Sequence, residues 1–215
     1  MHKQFVVIGL GRFGKSVAQT LSHLGHDVLA IDSDEGPVQA LMNDVTHAVQ
    51  ADARVEENLK ALGIRNFDVA VVAIGDNIQS SILITLILKE MGIQRVVAKA
   101  VDSLHGKVLE KVGADKIIYP EKDMGFRVAH SLVTTNVMDF IELSPDYHIV
   151  EIMTPKMFVG KSLGELDLRA RYGINVMAIK HGNTIDVAPG ADAKLESKDV
   201  LVVISDNEAL TKLPD

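Results

Sequence analysis

The sequence predicts an α/β protein in which a doubly wound parallel sheet is followed by a small α+β domain. In the first half, short runs rich in Val and Ile alternate with segments of helical spacing. These runs are apolar throughout, as strands buried on both faces require. Near residue 120 the alternation stops, and the remaining chain consists mainly of short strands joined by turns. We therefore expect two domains of different architecture.

Strands are predicted in the first half at residues 5–8, 28–31, 48–50, 69–74, 96–98 and 116–119. Helical spacing of apolar residues separates them, at residues 14–24, 36–42, 55–62, 78–91 and 104–112. Strand and helix alternate with short turns, which is typical of a Rossmann-like fold. This order predicts a parallel sheet with helices packed on both of its faces.

The second half begins with a helix that Pro120 opens and that Thr134-Thr135-Asn136 is suited to end. Further elements are predicted as strands at 137–143, 149–153, 175–180, 185–187 and 200–204, with helices at 163–171 and 206–213. Turn residues at 144–147 and a tight hairpin turn at 181–183 lie between strands. The predicted organisation is a nucleotide-binding domain at 1–119, a crossover helix and linker at 120–136, and a regulatory domain at 137–215.

Composition excludes several classes of protein. The 215 residues are 47% hydrophobic and 24% charged, which is ordinary for a soluble globular chain. A formal net charge of -7 argues against a nucleic-acid surface, because such surfaces need concentrated Lys and Arg. The chain has no cysteine, so disulfides and Cys-ligated zinc are excluded and a reducing compartment is permitted. No stretch approaches the roughly 20 apolar residues of a spanning helix.

The segment Gly9-Leu-Gly11-Arg-Phe-Gly14 follows the first strand and opens the first helix. Its first glycine permits a tight turn, its second lets the backbone approach a pyrophosphate, and its third lets helix and strand pack closely. Asp32 ends the second strand, where a carboxylate can bind both ribose hydroxyls and repel the 2′-phosphate of NADP. A glycine turn without a ligand is the weaker interpretation, because strand, helix and Asp32 occur together.

Four charged residues and one glycine follow or end the later strands, at the edge where ligands bind in open α/β sheets. This group consists of Asp52, Gly75, Asp76, Lys99 and Glu121. Each residue alone is better explained as part of a solvated loop, and their shared edge makes a ligand site an equal alternative. Glu121 has two interpretations, as a ligand for a divalent cation near phosphates or as a charge at a helix N-terminus.

Arg12 lies inside the glycine loop and also has two interpretations. Its guanidinium can form a bidentate contact with phosphate oxygens beyond the first pair, or it can be a solvated surface residue. The first interpretation indicates a terminal phosphate, and so ATP or ADP instead of NAD.

Nothing in the sequence indicates a catalytic set. The eight histidines have no metal-site spacing. Arg169 and Arg171 are suited to bind an anion or to form a solvated helix face. The second domain has no His/Asp, Lys/Tyr or Ser/His constellation, which favours binding without chemistry. An NAD-dependent oxidoreductase is the main alternative. An NAD-responsive transcription factor is a third, and it lacks the basic helix-turn-helix that it would need.

Four segments resemble the regulatory subunits of Ktr potassium-uptake systems, which are built from RCK domains (regulators of potassium conductance). They are Ile8–Gly14, Ala73–Asn77, Lys111–Gly125 and Arg169–Gly173. The resemblance extends over essentially the whole chain. It implies an N-terminal RCK lobe with the Rossmann-like fold, a crossover helix that drives dimerisation, and a smaller C-terminal RCK lobe.

The resemblance also implies a function in potassium transport. Such subunits form dimers that assemble into an octameric ring, in the cytoplasm, beneath a separate membrane subunit that translocates potassium. ATP in the N-terminal lobe favours the active ring and ADP the inactive one, and NAD or NADH also binds. In Gram-positive relatives the C-terminal lobe binds cyclic di-AMP, which suppresses uptake.

By resemblance, Arg12 reaches the terminal phosphate, Asp32 binds the adenosine ribose, and Asp52 and Lys99 line the pocket. Glu121 matches a family position that helps to bind a divalent cation, such as Mg or Ca, between the nucleotides of a dimer. The expected binding set comprises Gly9, Gly11, Arg12, Phe13, Gly14, Asp32, Ser33, Asp52, Ala53, Ile74, Gly75, Lys99 and His105 for the nucleotide, and Arg169, Asn175 and Val176 for cyclic di-AMP.

Overall fold

The computed structural model describes residues 2–133, 137–144, 146–206, 208–209 and 212–213. The chain divides into two compact units, Met1–Glu121 and Lys122–Asp215. Among the described residues, no helix is long and apolar enough to cross a membrane.

The first unit contains a parallel sheet of six strands. The strands are β1 (Gln4–Ile8), β2 (Asp27–Asp32), β3 (His47–Gln50), β4 (Val69–Val72), β5 (Arg95–Lys99) and β6 (Lys116–Ile118). Their order across the sheet is β3-β2-β1-β4-β5-β6, and each neighbouring pair is parallel. The direction in which successive strands are added to the sheet reverses between β1 and β4. Sheets of this kind bind ligands in the crevice between the loops that follow these two strands.

Helices connect these strands. They are α1 (Arg12–His23), α2 (Glu35–Gln39), α3 (Glu56–Ala61), α4 (Ile78–Glu90) and α5 (Ser103–Lys111), with a 3-10 turn at Ile64–Asn66. Alternate residues of one strand enter different cores: Val6 packs with residues of α3, α4 and α5, and Val7 packs with residues of α1 and α2. The doubly wound α/β prediction is thereby confirmed.

The second unit is built on an antiparallel sheet of five strands. Its elements are α6 (Pro120–Val133), which begins just before the division, β7 (Val137–Glu142), β8 (Tyr147–Met153), α7 (Leu163–Leu166), α8 (Leu168–Tyr172), β9 (Asn175–His181), β10 (Thr184–Val187) and β11 (Val200–Asp206), with a 3-10 turn at Lys156–Phe158. The strand order is β10-β9-β11-β8-β7. Its core includes Phe158, Ile152 and Leu201, all at most 1% exposed. This small α+β module agrees with the predicted class.

Several boundaries differ from the sequence prediction. The helix expected at 163–171 is two short helices, because Asp167 adopts a left-handed conformation with φ of 43° between them. β4 ends at Val72 rather than 74, and β8 begins at Tyr147 rather than 149. Asp206 belongs to β11, so the closing helix cannot begin there. Residues 207, 210 and 211 of that helix, the terminator 134–136 and Pro145 of the predicted turn lie outside the described residues.

Candidate functional site

The glycine loop after β1 folds against the start of α1. Gly9 has φ of +90°, a region that side chains disfavour, and a Cβ there would lie 2.8 Å from Ile74 Cγ1. A Cβ on Gly14 would lie 1.8 Å from the Gly9 carbonyl oxygen. These two positions therefore require glycine, and for Gly14 the reason is the close helix packing that the sequence predicted.

Gly11 stands immediately before α1, and the space beside it is open. Apart from Gly11 itself and its two chain neighbours, no described residue has an atom within 4 Å of a Cβ placed on Gly11. Because Gly11 has no capping side chain, the first amide groups of α1 are left to other acceptors. The helix dipole adds positive potential at this end. An anionic group such as a phosphate fits the position.

Asp32 connects the end of β2 to the glycine loop. Its Oδ2 accepts a hydrogen bond from the Leu10 amide at 2.6 Å, and its Oδ1 accepts one from the Asp34 amide at 3.0 Å. A carboxylate has about four acceptor positions, so two of them remain for further donors such as hydroxyl groups.

Lys99 and Glu121 form an ion pair at the far side of the glycine loop, with Lys99 Nζ 2.5 Å from Glu121 Oε1. The Lys99 side chain is 11% exposed, and its ammonium lies 5.9 Å from the centroid of the Phe13 ring. The pKa of Glu121 is lowered chiefly by the hydrogen bond from Lys99, and the charge of Arg12 lowers it further. Arg12, Phe13, Lys99 and Glu121 therefore form one cluster beside the open end of α1.

Asp52 follows β3 and is held by a residue that the sequence analysis did not select. Arg54 donates to both carboxylate oxygens of Asp52, from Nε at 2.9 Å and from an Nη at 2.7 Å. These bonds, together with the Arg54 amide, lower the pKa of Asp52. The only sequence signal for Arg54 is an acid and a base two residues apart, which is common on protein surfaces.

His105 lies in the first turn of α5 and is 2% exposed. Its Nδ1 accepts a hydrogen bond from the Val101 amide at 3.3 Å, and the Asp102 side chain caps the helix by accepting from the His105 amide. Burial lowers the pKa of His105. The imidazole is therefore neutral at pH 7 and carries its proton on Nε2.

The other expected residues of the first unit follow the same strands. Ser33 is exposed after β2 and its carbonyl accepts a hydrogen bond from Gln50 Nε2, whereas Ala53 is buried after β3. Ile74 and Gly75 are half-buried in the loop after β4, and Asp76 is exposed beside them. The expected nucleotide set thus lies along the carboxyl ends of the parallel strands.

The described part of the chain does not supply a complete metal site. Within the described ranges, no three His, Asp or Glu side chains are grouped to hold a metal ion. Glu121 offers one exposed carboxylate, and Lys99 already pairs with it. A cation at Glu121 would therefore need oxygen ligands from elsewhere, such as phosphates.

The residues expected to bind cyclic di-AMP lie on two consecutive elements of the second unit. Arg169 is exposed on α8, and Asn175 and Val176 begin β9. Gly173, with φ of 73°, ends α8 and lets the chain turn into β9. Arg169 and Asn175 are exposed and Val176 is half-buried.

Comparison with known proteins places both units in described families. Residues 5–120 match the TrkA-N domain, and residues 147–213 match the TrkA-C domain. The Ktr system potassium uptake protein C of Bacillus subtilis is 49% identical over 204 residues, which covers 95% of this chain and 92% of the relative. The Ktr system potassium uptake protein A of the same organism is 48% identical over 203 residues, which covers 94% of this chain and 91% of that one.

Solved structures agree with this fold. The RCK domain of GsuK has a TM-score of 0.68 at 16% identity, over 98% of this chain and 46% of that one. The GsuK channel bound to NAD has a TM-score of 0.67 at 15% identity, over 98% of this chain and 38% of that one. This chain therefore spans less than half of those two chains, and the likeness shows the shared architecture.

Proposed function

The chain, with its TrkA-N and TrkA-C domains, belongs to the family of the Ktr system potassium uptake proteins, and we propose that it is their nucleotide-sensing regulatory subunit. In this proposal the first unit binds ATP or ADP, and the bound nucleotide sets the activity of a separate membrane subunit that translocates potassium. The two lobes correspond to residues 1–119 and 137–215, joined by a crossover helix within 120–136.

The observation that carries the proposal is the open N-terminus of α1, with cationic groups beside it. The space next to Gly11 is open, and the cationic side chains of Arg12 and Lys99 belong to the cluster beside it, which supports a phosphate chain at this end of α1. Asp32 has acceptor positions left for ribose hydroxyls. An adenine nucleotide with two or three phosphates matches this order of groups better than a single phosphate does.

The titratable groups of the site favour binding over catalysis. Asp52 pairs with Arg54, and Lys99 pairs with Glu121. His105 has an Nε2 proton without a hydrogen-bond partner among the described residues, but the residue is only 2% exposed and is therefore closed to a ligand. A general acid or base needs a group within reach of the reacting atom with a proton position to spare. This arrangement supports a sensor that leaves the nucleotide unchanged.

Discrimination between ATP and ADP requires an interaction that only the terminal phosphate makes. A ligand shifts a conformational equilibrium only by the difference in its affinity for the two states. Arg12 is exposed at the first position of α1, and its guanidinium is suited to bidentate contact with phosphate oxygens. In the proposal, Arg12 binds the terminal phosphate of ATP and ADP lacks that contact, so ATP activates and ADP inactivates.

A divalent cation such as Mg or Ca enters the proposal at Glu121. The exposed carboxylate and the phosphates of bound nucleotide would together supply oxygen ligands, which both cations prefer. A phosphate bound near Lys99 gives the Lys99 ammonium another anionic partner. The Glu121 carboxylate is then available to bind the cation.

Self-association is supported by apolar side chains that one chain leaves exposed on two helices. On α4 these are Ile78, Leu83 and Leu86, and on α6 they include Met124 and Leu132. Exposed apolar rows of this kind are typical of protein interfaces. In the proposal they pack against other copies, which form dimers and then an octameric ring on the inner face of the cell membrane.

The second unit is proposed to bind cyclic di-AMP. Arg169 carries the positive charge that a phosphodiester needs, and Asn175 on the adjoining strand offers donors and an acceptor for a base. Val176 then contributes apolar contact. The family resemblance carries this part of the proposal.

The test is isothermal titration of the purified chain with ATP, ADP, NADH and cyclic di-AMP, with and without magnesium. The proposal expects binding of ATP and ADP without hydrolysis, and a separate cyclic di-AMP isotherm that Arg169→Ala abolishes. Arg171→Ala, a neighbouring exposed arginine on α8, is the matched control. Binding of NADH alone would overturn the proposal and support an oxidoreductase, and hydrolysis of ATP would overturn the claim that the chain leaves its nucleotide unchanged.

A further inference from the structure

Gly75, in the loop after β4, approaches the tip of Lys99 closely. A Cβ placed on Gly75 would lie 3.1 Å from Lys99 Nζ and 3.3 Å from Lys99 Cε. Both distances are shorter than the roughly 3.5–4.0 Å of favourable contact between such atoms. Any side chain at this position would therefore press on the ammonium of Lys99.

The backbone does not explain the glycine. Gly75 is absent from the residues with positive φ, so its conformation is one that an alanine can adopt. Gly9 differs, because its φ of +90° alone disfavours a side chain. Gly75 is distinguished instead by having no side chain at a point that the tip of Lys99 approaches closely.

Lys99 is confined on its other sides. Its ammonium lies over the Phe13 ring, 5.9 Å from the centroid, and its Nζ contacts Glu121 Oε1. With 11% of the side chain exposed, the tip cannot avoid a new methyl group by turning freely into solvent. A displacement of a few tenths of an ångström would move the charge away from its position in the cluster.

We propose that Gly75 is a positioning residue, which leaves the room that the Lys99 ammonium needs at the phosphate end of the site. This inference rests on the proposed nucleotide function and names a residue that acts on the ligand through another side chain. Because a charge-assisted hydrogen bond depends strongly on distance, a small displacement of Nζ reduces its attraction for phosphate. The adenosine part of the ligand lies on the Asp32 side and does not depend on Lys99.

The experiment is a double-mutant cycle on the full chain, with Gly75→Ala, Lys99→Ala and the double variant. Titration with ATP and with adenosine separates phosphate contacts from the rest of the ligand. Gly75→Ala is expected to weaken ATP binding by about three- to tenfold, which corresponds to part of one charged hydrogen bond, and to leave adenosine binding unchanged. In the Lys99→Ala background, Gly75→Ala is expected to have no further effect, because there is no ammonium to displace.

Gly36→Ala is the matched control, because outside its two chain neighbours and the backbone of α2 no described atom lies within 4 Å of a Cβ on that glycine. Thermal unfolding of each variant provides the second readout: any loss of stability in Gly75→Ala should disappear in the double variant. Equal ATP affinity of Gly75→Ala and the unsubstituted chain, or additive effects in the cycle, would overturn the inference. Failure of the unsubstituted chain to bind ATP would instead overturn the proposed function and this inference with it.

Discussion

Arg12 is the single residue on which the proposed distinction between ATP and ADP depends. We expect Arg12→Ala to weaken ATP binding about tenfold or more, because it removes a charged, bidentate contact. ADP, which lacks the terminal phosphate, should lose no more than about twofold. Titration with both nucleotides measures the ratio. Arg95→Ala, at the opposite end of the sheet on β5, is the control, and equal losses for ATP and ADP would contradict the role of Arg12.

His105 gives the first unit a pH dependence whose sign follows from its burial. Burial lowers the pKa of His105 below its ordinary value of 6.5, so the unfolded chain binds this proton more readily than the folded one. The stability from the neutral imidazole is present above that ordinary pKa and is lost as the pH falls below it. Urea unfolding between pH 7.5 and pH 5 should therefore show a smaller loss for His105→Gln than for the unsubstituted chain. If the stability of His105→Gln and of the unsubstituted chain falls in parallel with pH, this prediction is wrong. The variant His47→Gln, at an exposed histidine, serves as the control.

At the residue scale, local rules predicted the glycines but not the ion pairs. The roles of Gly9 and Gly14 follow from the strand-turn-helix context within a few residues, and the structure has the close packing that they imply. Lys99 and Glu121 meet because β5 and α6 end and begin at the same edge, which only the folded sheet establishes. The bidentate contact of Arg54 with Asp52 depends on side-chain orientation, which two-residue spacing does not specify.

At the scale of elements, Asp115 connects α4 to the sheet. Its Oδ2 accepts hydrogen bonds from the Val96 amide at 2.6 Å and from Lys89 Nζ at 2.9 Å. Partial burial opposes ionisation of Asp115, and these hydrogen bonds outweigh it and lower the pKa. The stability that the ionised Asp115 contributes through these hydrogen bonds is present above the ordinary pKa of an aspartate. It is lost as the pH falls through the lower pKa of the folded state.

We therefore expect Asp115→Asn to lower the free energy of unfolding by about 1 kcal/mol at pH 7, a figure already reduced for partial solvent exposure. At an acidic pH below the lowered pKa of Asp115, where the unsubstituted carboxyl is protonated too, the difference should shrink. Urea unfolding at both pH values tests this, with the exposed Glu110→Gln as the matched charge change. A difference that stays constant with pH would contradict the assignment.

The types of the elements could be predicted where the apolar periodicity is strong. The prediction failed where a residue with positive φ interrupts a helix. The central strands β2 and β4 of the first sheet are buried on both faces, so their Val, Ile and Ala runs stand out. The helix expected at 163–171 is broken at Asp167, whose positive φ is a backbone conformation that the spacing of apolar residues does not encode. The spacing of apolar residues alone therefore predicted α7 and α8 as one continuous helix.

At the scale of the whole molecule, exposed apolar rows predict assembly. Leu83 and Leu86 on α4 are 42% and 37% exposed in one chain. We expect the purified chain to associate at micromolar concentration and Leu83→Glu to shift it toward monomer, because a buried charge without a partner opposes association. Sedimentation velocity measures this, with Leu24→Glu, 67% exposed at the end of α1, as control. A chain that stays monomeric without substitution would count against this interface.

The central claim, that nucleotide bound to this chain controls potassium flux, is tested most directly with proteoliposomes that contain the Ktr-type membrane subunit. Potassium uptake would be measured after addition of this chain with ATP or with ADP. We expect faster uptake with ATP than with ADP, and we expect Arg12→Ala to reduce this difference greatly and Arg95→Ala to leave it intact. Equal uptake with the two nucleotides, or uptake unaffected by the chain, would contradict the central claim.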